Sequence, residues 1–355
     1  MSDAALPRTG TSTDAFETRL GEVLTRMRER AYAFPAPYSQ LWETVERMAT
    51  GGKKIRPRLL LGAYEALGGI DERSAIDAAC AMELLHLALV IHDDVIDKDV
   101  TRRGEMNITG SFASEAMVRG AGRSEATAWG EASSLLAGDL VLTLSHSLLA
   151  RLEVPEDRRQ AVLDVFDDTV FESAAGEHHD VWLSMRLEQS SPEDVLAMVD
   201  QKTAAYSFRA PLVTAAVLAG ATTALITELE SIARQIGVVY QLRDDVLGLF
   251  GDEHQTGKST LSDLREGKET LLVTYARSDV AWTGVEHLFG DPSLTAADGA
   301  RLRRVIEESG ALVFVESVIA ERCTAIDEAI RAASLPPSLH TQLTELTVTC
   351  RTRVS

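Results

Sequence analysis

Leu84-Leu85-His86-Leu87-Ala88-Leu89-Val90-Ile91 runs directly into His92-Asp93-Asp94-Val95-Ile96-Asp97-Lys98-Asp99, and the reading of this stretch decides the fold. Eight nearly unbroken apolar residues are followed at once by four aspartates. On a helix, side chains at i and i+4 share one face, about 6 Å apart along the axis. Asp93 and Asp97 therefore point the same way, and like charges so placed destabilise a helix unless a cation joins them. Carboxylate oxygens are hard ligands, and Mg2+ takes one or two of them together with substrate phosphates. A solvated helix end carrying acids is the plainer alternative. It fits poorly with acids set immediately behind an apolar run. The stretch reads as a buried helix ending in a metal site, with Asp93, Asp94 and Asp97 as candidate ligands.

Working outward, a second pair, Asp244-Asp245, closes Gln241-Leu242-Arg243-Asp244-Asp245 directly after the apolar Ile236–Tyr240, about 150 residues further on. Two such pairs predict two helices facing each other across a cavity and sharing metals, a standard way for a bundle to build a metal site. Basic residues accompany both. Arg102-Arg103 follow the first pair, and Gly257-Lys258-Ser259 and Gly267-Lys268 follow the second. Gly51-Gly52-Lys53-Lys54-Ile55-Arg56-Pro57 and Lys202-Thr203-Ala204-Ala205-Tyr206 stand apart. The net charge is −19, which argues against a nucleic-acid partner. An acidic protein that binds an anion needs local Lys, Arg or metal to overcome its own field, and these clusters supply it. Arg suits a bidentate grip on phosphate and Lys acts as a point charge.

Of the 355 residues 45% are apolar, 25% charged and only 5% aromatic, a mixture rich in Ala, Leu, Glu and Arg that favours helix over strand. Apolar residues three and four apart, such as Leu20, Val23, Leu24 and Met27, carry the helical period. Ser191-Pro192-Glu193-Asp194 and Ser293-Leu294-Thr295 read as helix starts. No strand-length alternation recurs, no repeat is visible, and no linker divides the chain. The expected architecture is all-α: one large helical domain over residues 15–355 around a central cavity, behind a polar lead-in at residues 1–14. Cys80, Cys323 and Cys350 are far apart and lack metal-ligand spacing. The N-terminus lacks a signal-peptide pattern. The uncharged run Ala210–Thr227 contains Pro211 and Gly220 and reads as a core helix, not a membrane span. A cytoplasmic location without stable membrane insertion is expected, and there the sequon at Asn107 carries no meaning.

Two motifs fail on inspection. Gly251-Asp252-Glu253-His254-Gln255-Thr256-Gly257-Lys258-Ser259 imitates a phosphate-binding P-loop, but it has five residues between the glycines where that motif needs four, and it follows a helix. His178-His179 are adjacent, so on a helix they point about 100° apart and do not chelate one ion together.

With these residues in place, the chain resembles the trans-prenyltransferase (polyprenyl synthetase) family from about Gly51 to Thr270. Asp93-Asp94-x-x-Asp97 with Arg102-Arg103-Gly104 looks like the family's first aspartate-rich motif. Ala137-Gly138-Asp139, Gly176-Glu177-x-x-Asp180, Lys202-Thr203-Ala204-x-Tyr206 and Tyr240-Gln241-Leu242-x-Asp244-Asp245 follow in family order. The resemblance implies condensation of isopentenyl diphosphate with an allylic diphosphate, and a homodimer. It implies three Mg2+ ions bridging to the allylic diphosphate, with Asp93, Asp97 and Asp244 as their holders. Arg102, Lys202 and Lys258 would contact that diphosphate, and Lys53, Arg56, His86 and Arg103 the isopentenyl one. Thr203 and Gln241 would line the reacting carbons, and Lys268 would close the site. The second motif departs from the pattern: Gly248 stands where many members carry a third aspartate, and Asp252 is a candidate replacement. Glu177 replaces a more frequent Gln.

Product length is implied by the same resemblance. Residues four and five before the first aspartate form a floor beneath the growing chain; here they are Leu89 and Ala88, with Leu85 and Leu84 a turn deeper. A small Ala88, where short-chain farnesyl synthases often carry an aromatic, lowers the floor and points to a C20 (geranylgeranyl) product. The alternative for Ala88 is plain packing against a neighbouring helix. A terpene cyclase shares the fold but has no use for the second basic set. A non-catalytic partner subunit would be expected to lose ligands, and this chain keeps them.

Overall fold

Apolar residues at helical spacing, separated by Gly, Pro and capping residues, make the described residues predominantly helical. The computed structural model describes residues 10–251 and 260–353, with side chains from residue 14. In order run α1 (Gly10–Ala31), α2 (Ala36–Ala49), α3 (Ile55–Ala66), α4 (Glu72–Ile96), α5 (Ile108–Val118), α6 (Arg123–Leu149) and α7 (Glu156–Ser184). Then come α8 (Pro192–Val199), a π-helical segment (Asp200–Arg209), α9 (Ala210–Ala219) and α10 (Thr223–Phe250). The last are α11 (Ser262–Glu266), α12 (Leu271–Ala276), α13 (Ala296–Glu308), α14 (Ala311–Ala332) and α15 (Pro337–Thr352). Among the described residues the only sheet pairs β1 (Thr101–Arg102) with β2 (Glu105–Met106).

Local chemistry sets the helix ends. Ser191 caps α8 by accepting from the Asp194 N–H at 3.2 Å, while the Asp194 carboxylate accepts from the Ser191 N–H at 2.9 Å. Thr295 caps α13 by accepting from the Asp298 N–H at 3.2 Å, and its hydroxyl donates to the Asp298 carboxylate. The uncharged run, read as one core helix, is instead divided: α9 stops at Ala219, Gly220 turns at φ +77, and Thr222 caps α10. Asn107 is 1% exposed and caps α5 through the Gly110 N–H, so the sequon lies inside the fold. The three cysteines are buried and free. Of the polar lead-in, residues 1–9 lie outside the described residues.

The helices group into two compact units. One runs from α1 to Asp167 and takes back Ala210–Ala221; the other holds Asp168–Arg209 and the chain from Thr222 onward. In the first, α4 packs along α6, α3 lies on α9 and α4, and α5 covers α6. Its core includes Leu59, Leu60, Met82, Leu84, Leu85 and Ile91. In the second, α10 packs on the π-helical segment, α14 and α15, around Phe208, Leu229, Ile236 and Val239. α4 and α6 are each long and apolar enough to cross a membrane. Within the fold 67% of the apolar stretch of α4 is buried, against 39% for α6.

Candidate active site

In the first unit the acidic motif ends α4 in a manner the sequence did not spell out. The Asp99 N–H reaches back to the Asp94 carbonyl at 2.8 Å and the Lys98 N–H to that of Val95, with Lys98 at φ +60. This Schellman closure puts Asp93, Asp94 and Asp97 in the last turn, where the helix dipole is itself negative. Asp93 and Asp97 each offer an oxygen within 4.8 Å of the other, the i, i+4 convergence expected. Asp94 goes elsewhere: it is 1% exposed and accepts from Arg102 Nε at 2.6 Å. Arg102 also donates to Asp93 at 3.0 Å. Burial pushes the Asp94 carboxyl up to about 6, against the pull of Arg102. Asp94 is thus the anchor of Arg102, and the converging pair is Asp93 with Asp97.

Arg102-Arg103-Gly104 folds as a two-residue hairpin. Thr101 pairs with Met106 and Arg102 with Glu105, and both loop residues sit at positive φ (Arg103 +54, Gly104 +78), as a type I′ turn requires. The Arg103 guanidinium lies against Gly52, where a Cβ would come within 3.1 Å of it. Arg56, Arg103, Arg102 and Lys54 all act on His86, which is half-buried on α4. Burial first, then these four cations, hold its imidazole well below the usual histidine range, so it is neutral at pH 7. The basic set named from sequence is therefore assembled in one place, with Lys53 exposed beside it. Gly138 of the Ala-Gly-Asp block also has a reason: a Cβ there would sit 2.2 Å from His92 Nε2. That imidazole lies 3.3 Å from Asp139, out of line for a hydrogen bond.

The histidine carries a pH dependence. Its folded pKa is depressed, so its contribution to stability is complete above about pH 6.5 and is lost as pH falls below that value, by at most about 1.4 kcal/mol per pH unit. Thermal melts of wild type and His86→Gln from pH 7.5 to 5.0 should show the wild-type advantage shrinking on acidification. A constant difference would contradict the neutral imidazole.

In the second unit, Lys202 lies in the π-helical segment, a geometry often found at functional sites. Its Nζ is 2.6 Å from Asp180 and 2.8 Å from Glu177 of α7, so the Gly-Glu-x-x-Asp block is the grip on this lysine. Gly176 makes the approach possible, because a Cβ there would lie 2.2 Å from the backbone nitrogen of Lys202. Gly176→Ala should cost about 1–3 kcal/mol in a urea melt through overpacking against backbone; an unchanged midpoint would contradict the close approach. Gly237 likewise admits Ala204 and Phe208 to α10.

The Thr203 hydroxyl donates to Gln241 Oε1 at 3.0 Å, and Gln241 Nε2 donates to Asp245 at 2.8 Å. Desolvation pushes the Asp245 carboxyl up to about 8; the charges of Asp263, Asp244 and Asp180 add to this, and the Gln241 hydrogen bond opposes it. Asp244 takes a different partner. Arg353 Nη1, past the end of α15, is 3.1 Å from it, and the guanidinium lies over the Tyr240 ring. A protein cation already rests on this carboxylate, and acids crowd around its neighbour, so the donor set fits a divalent hard cation. Arg243 grips Glu316 of α14 through two bonds of 2.6 and 2.8 Å and holds this end of α10. Lys268 pairs with Glu266 at 3.0 Å. Lys258 and Asp252 lie outside the described residues.

Sequence reasoning missed Asp263. A Cβ on Gly248 would meet the Asp263 carboxylate at 2.5 Å. The third position of the second motif lacks its acid, and a carboxylate from α11 occupies the space beside it. The signal was available only as Asp263 following soon after Lys258, with no spacing rule to fold it back.

An all-helical chain with an acid pair at a helix end and arginines gathered beside it defines the class: an isoprenoid-synthase fold. A family model described as polyprenyl synthetase matches residues 39–287, and the chain belongs to that family. It is a transferase of the prenyl diphosphate synthase type. It is 33% identical over 272 residues to a geranylgeranyl diphosphate synthase of Methanosarcina mazei, covering 76% of each chain. It is 31% identical to a geranylfarnesyl diphosphate synthase of Aeropyrum pernix, over 75% of this chain and 79% of that one. A crystal structure of a geranylgeranyl pyrophosphate synthase from Corynebacterium glutamicum, complexed with isoprenyl diphosphate and magnesium, matches with a TM-score of 0.90 at 26% identity. The match covers 98% of this chain and 100% of that one.

Proposed function

We propose that this chain condenses isopentenyl diphosphate with an allylic diphosphate and releases a C20 product, geranylgeranyl diphosphate. The observation that carries this is the basic set around His86, built in addition to the acid pair of Asp93 and Asp97. One anion site served by metal and a second served by protein cations suit two diphosphates, and a cyclase has no use for the second.

Asp93 and Asp97 would hold Mg2+, which would supply positive charge against the diphosphate leaving the allylic carbon; Asp244 is a further Mg2+ holder, and three ions the number, that the family resemblance implies. Arg102, fixed by Asp93 and Asp94, adds preorganised charge to the same group, as do Lys202 and Lys258. Lys53, Arg56, Arg103 and neutral His86 hold isopentenyl diphosphate in alignment. Thr203 spends its proton on Gln241 and keeps its lone pairs for the developing cation. The final proton passes to the departing diphosphate. Lys268 closes the site.

Ala88 is 0% exposed and Leu89 shares the face of Asp93 and Asp97; a small residue at 88 supports the C20 length, as does the name of the Methanosarcina relative. A homodimer is part of the proposal. Trp129 and Leu136 of α6, seven residues apart on one face, are 45% and 56% exposed, and a second copy would cover them. The proposed location is the cytoplasm, without membrane insertion. Purified chain with Mg2+, isopentenyl diphosphate and each of the C5, C10 and C15 primers, followed by chromatography of the products, tests the length. A dominant C15 or C25 product would overturn it.

A further inference from the structure

We propose that Lys54 is a positioning residue for the isopentenyl diphosphate site, acting through a buried ion pair with Glu83. The inference rests on the reading that Lys53, Arg56, His86 and Arg103 hold that diphosphate. Lys53 is exposed, but its neighbour Lys54 turns inward and is only 7% exposed. Its Nζ lies 2.9 Å from Glu83 Oε1 and 2.5 Å from the Ala49 carbonyl at the end of α2. Its backbone sits at φ +47, ψ +45, a left-handed conformation that costs energy in a residue with a side chain and persists only where the surroundings impose it.

The placement ties together the pieces of the site. Lys54 is the residue before α3, with Lys53 on one side and Arg56 two positions on. Glu83 lies three residues before His86, one turn along α4. One ion pair thus pins the turn carrying Lys53 and Arg56 to the turn of α4 carrying His86. On the same turn, Gly52 leaves room for the Arg103 guanidinium. Stability alone does not call for the pair. A well-packed apolar pair usually does as well in a core, and the second Glu83 oxygen is buried with no hydrogen-bond partner among the described residues. Fixing register is the better-attested use of such a pair.

Glu83→Asp keeps the charge and retracts the carboxylate by one methylene. In full-length enzyme with Mg2+, the KM for isopentenyl diphosphate should rise about tenfold, with the KM for the allylic diphosphate within about twofold, since small misplacements cost binding at one site only. The double variant Lys54→Met, Glu83→Leu removes both charges, should fold with a near-wild-type melting temperature, and should show the same split. An equal rise in both KM values, or a fall in kcat alone, would overturn the proposal by making the pair merely structural. Arg56→Gln separates the two levels. If it raises the KM for isopentenyl diphosphate and neither pair variant does, the positioning role fails; if it leaves that KM unchanged, the site reading fails with it.

Discussion

Asp97→Asn should lower kcat by on the order of 10³-fold, the scale of removing one preorganised electrostatic contact to a developing charge, and should at the same time stabilise the metal-free chain. Both effects follow from the same geometry. Asp93 and Asp97 present oxygens within 4.8 Å of each other at the negative end of α4, so without a divalent cation each adds to the repulsion felt by the other and to the dipole. Removing one charge relieves roughly 0.3–1 kcal/mol. In melts with EDTA the variant should exceed wild type; with Mg2+ the order should reverse. Asp94→Asn should behave differently. That carboxylate is buried against Arg102, so its loss should destabilise the chain with or without metal. A destabilised, metal-free Asp97→Asn would contradict the assignment of its charge to a metal.

Ala88→Phe should shift the products toward C15, the second large effect. The structure sharpens what the experiment must measure. Ala88 has no exposed surface, and four residues on along α4 is His92, which packs against Gly138 of α6. A phenylalanine driven into that packing would cost about 1–3 kcal/mol; one entering the space beneath the growing chain would not. Shorter products with a melting temperature near wild type would identify Ala88 as part of the floor. Unchanged products with a lowered melting temperature would assign it to helix packing. Leu89→Phe, on the face of Asp93 and Asp97, is the companion variant.

Much of this was legible because it rests on helical spacing. The i, i+4 aspartates, the end of the apolar run at His92 and the Ser191 and Thr295 caps all follow from 3.6 residues per turn and the chemistry of chain punctuation. What escaped depends on contacts between distant segments or on elements too short to carry a period. The Arg103-Gly104 hairpin has strands of two residues, below any alternation signal. The π-helical turns at Lys202 leave no mark in composition. Gly138 and Gly176 read as ordinary helix residues until a second backbone or imidazole is seen against them. The same holds for Asp94, distinguished from Asp93 only by Arg102, and for Asp263, brought beside Gly248 by the fold.

Incorporation of labelled isopentenyl diphosphate tests the central claim most directly. Purified chain is incubated with labelled isopentenyl diphosphate and an allylic diphosphate, with Mg2+ or with EDTA, and label is followed into acid-labile product. A two-diphosphate prenyltransferase incorporates label only when metal and both substrates are present, and loses incorporation in Arg56→Gln at limiting isopentenyl diphosphate. Consumption of the allylic diphosphate alone, with no label transferred, would contradict the assignment of the His86 cluster to a second substrate.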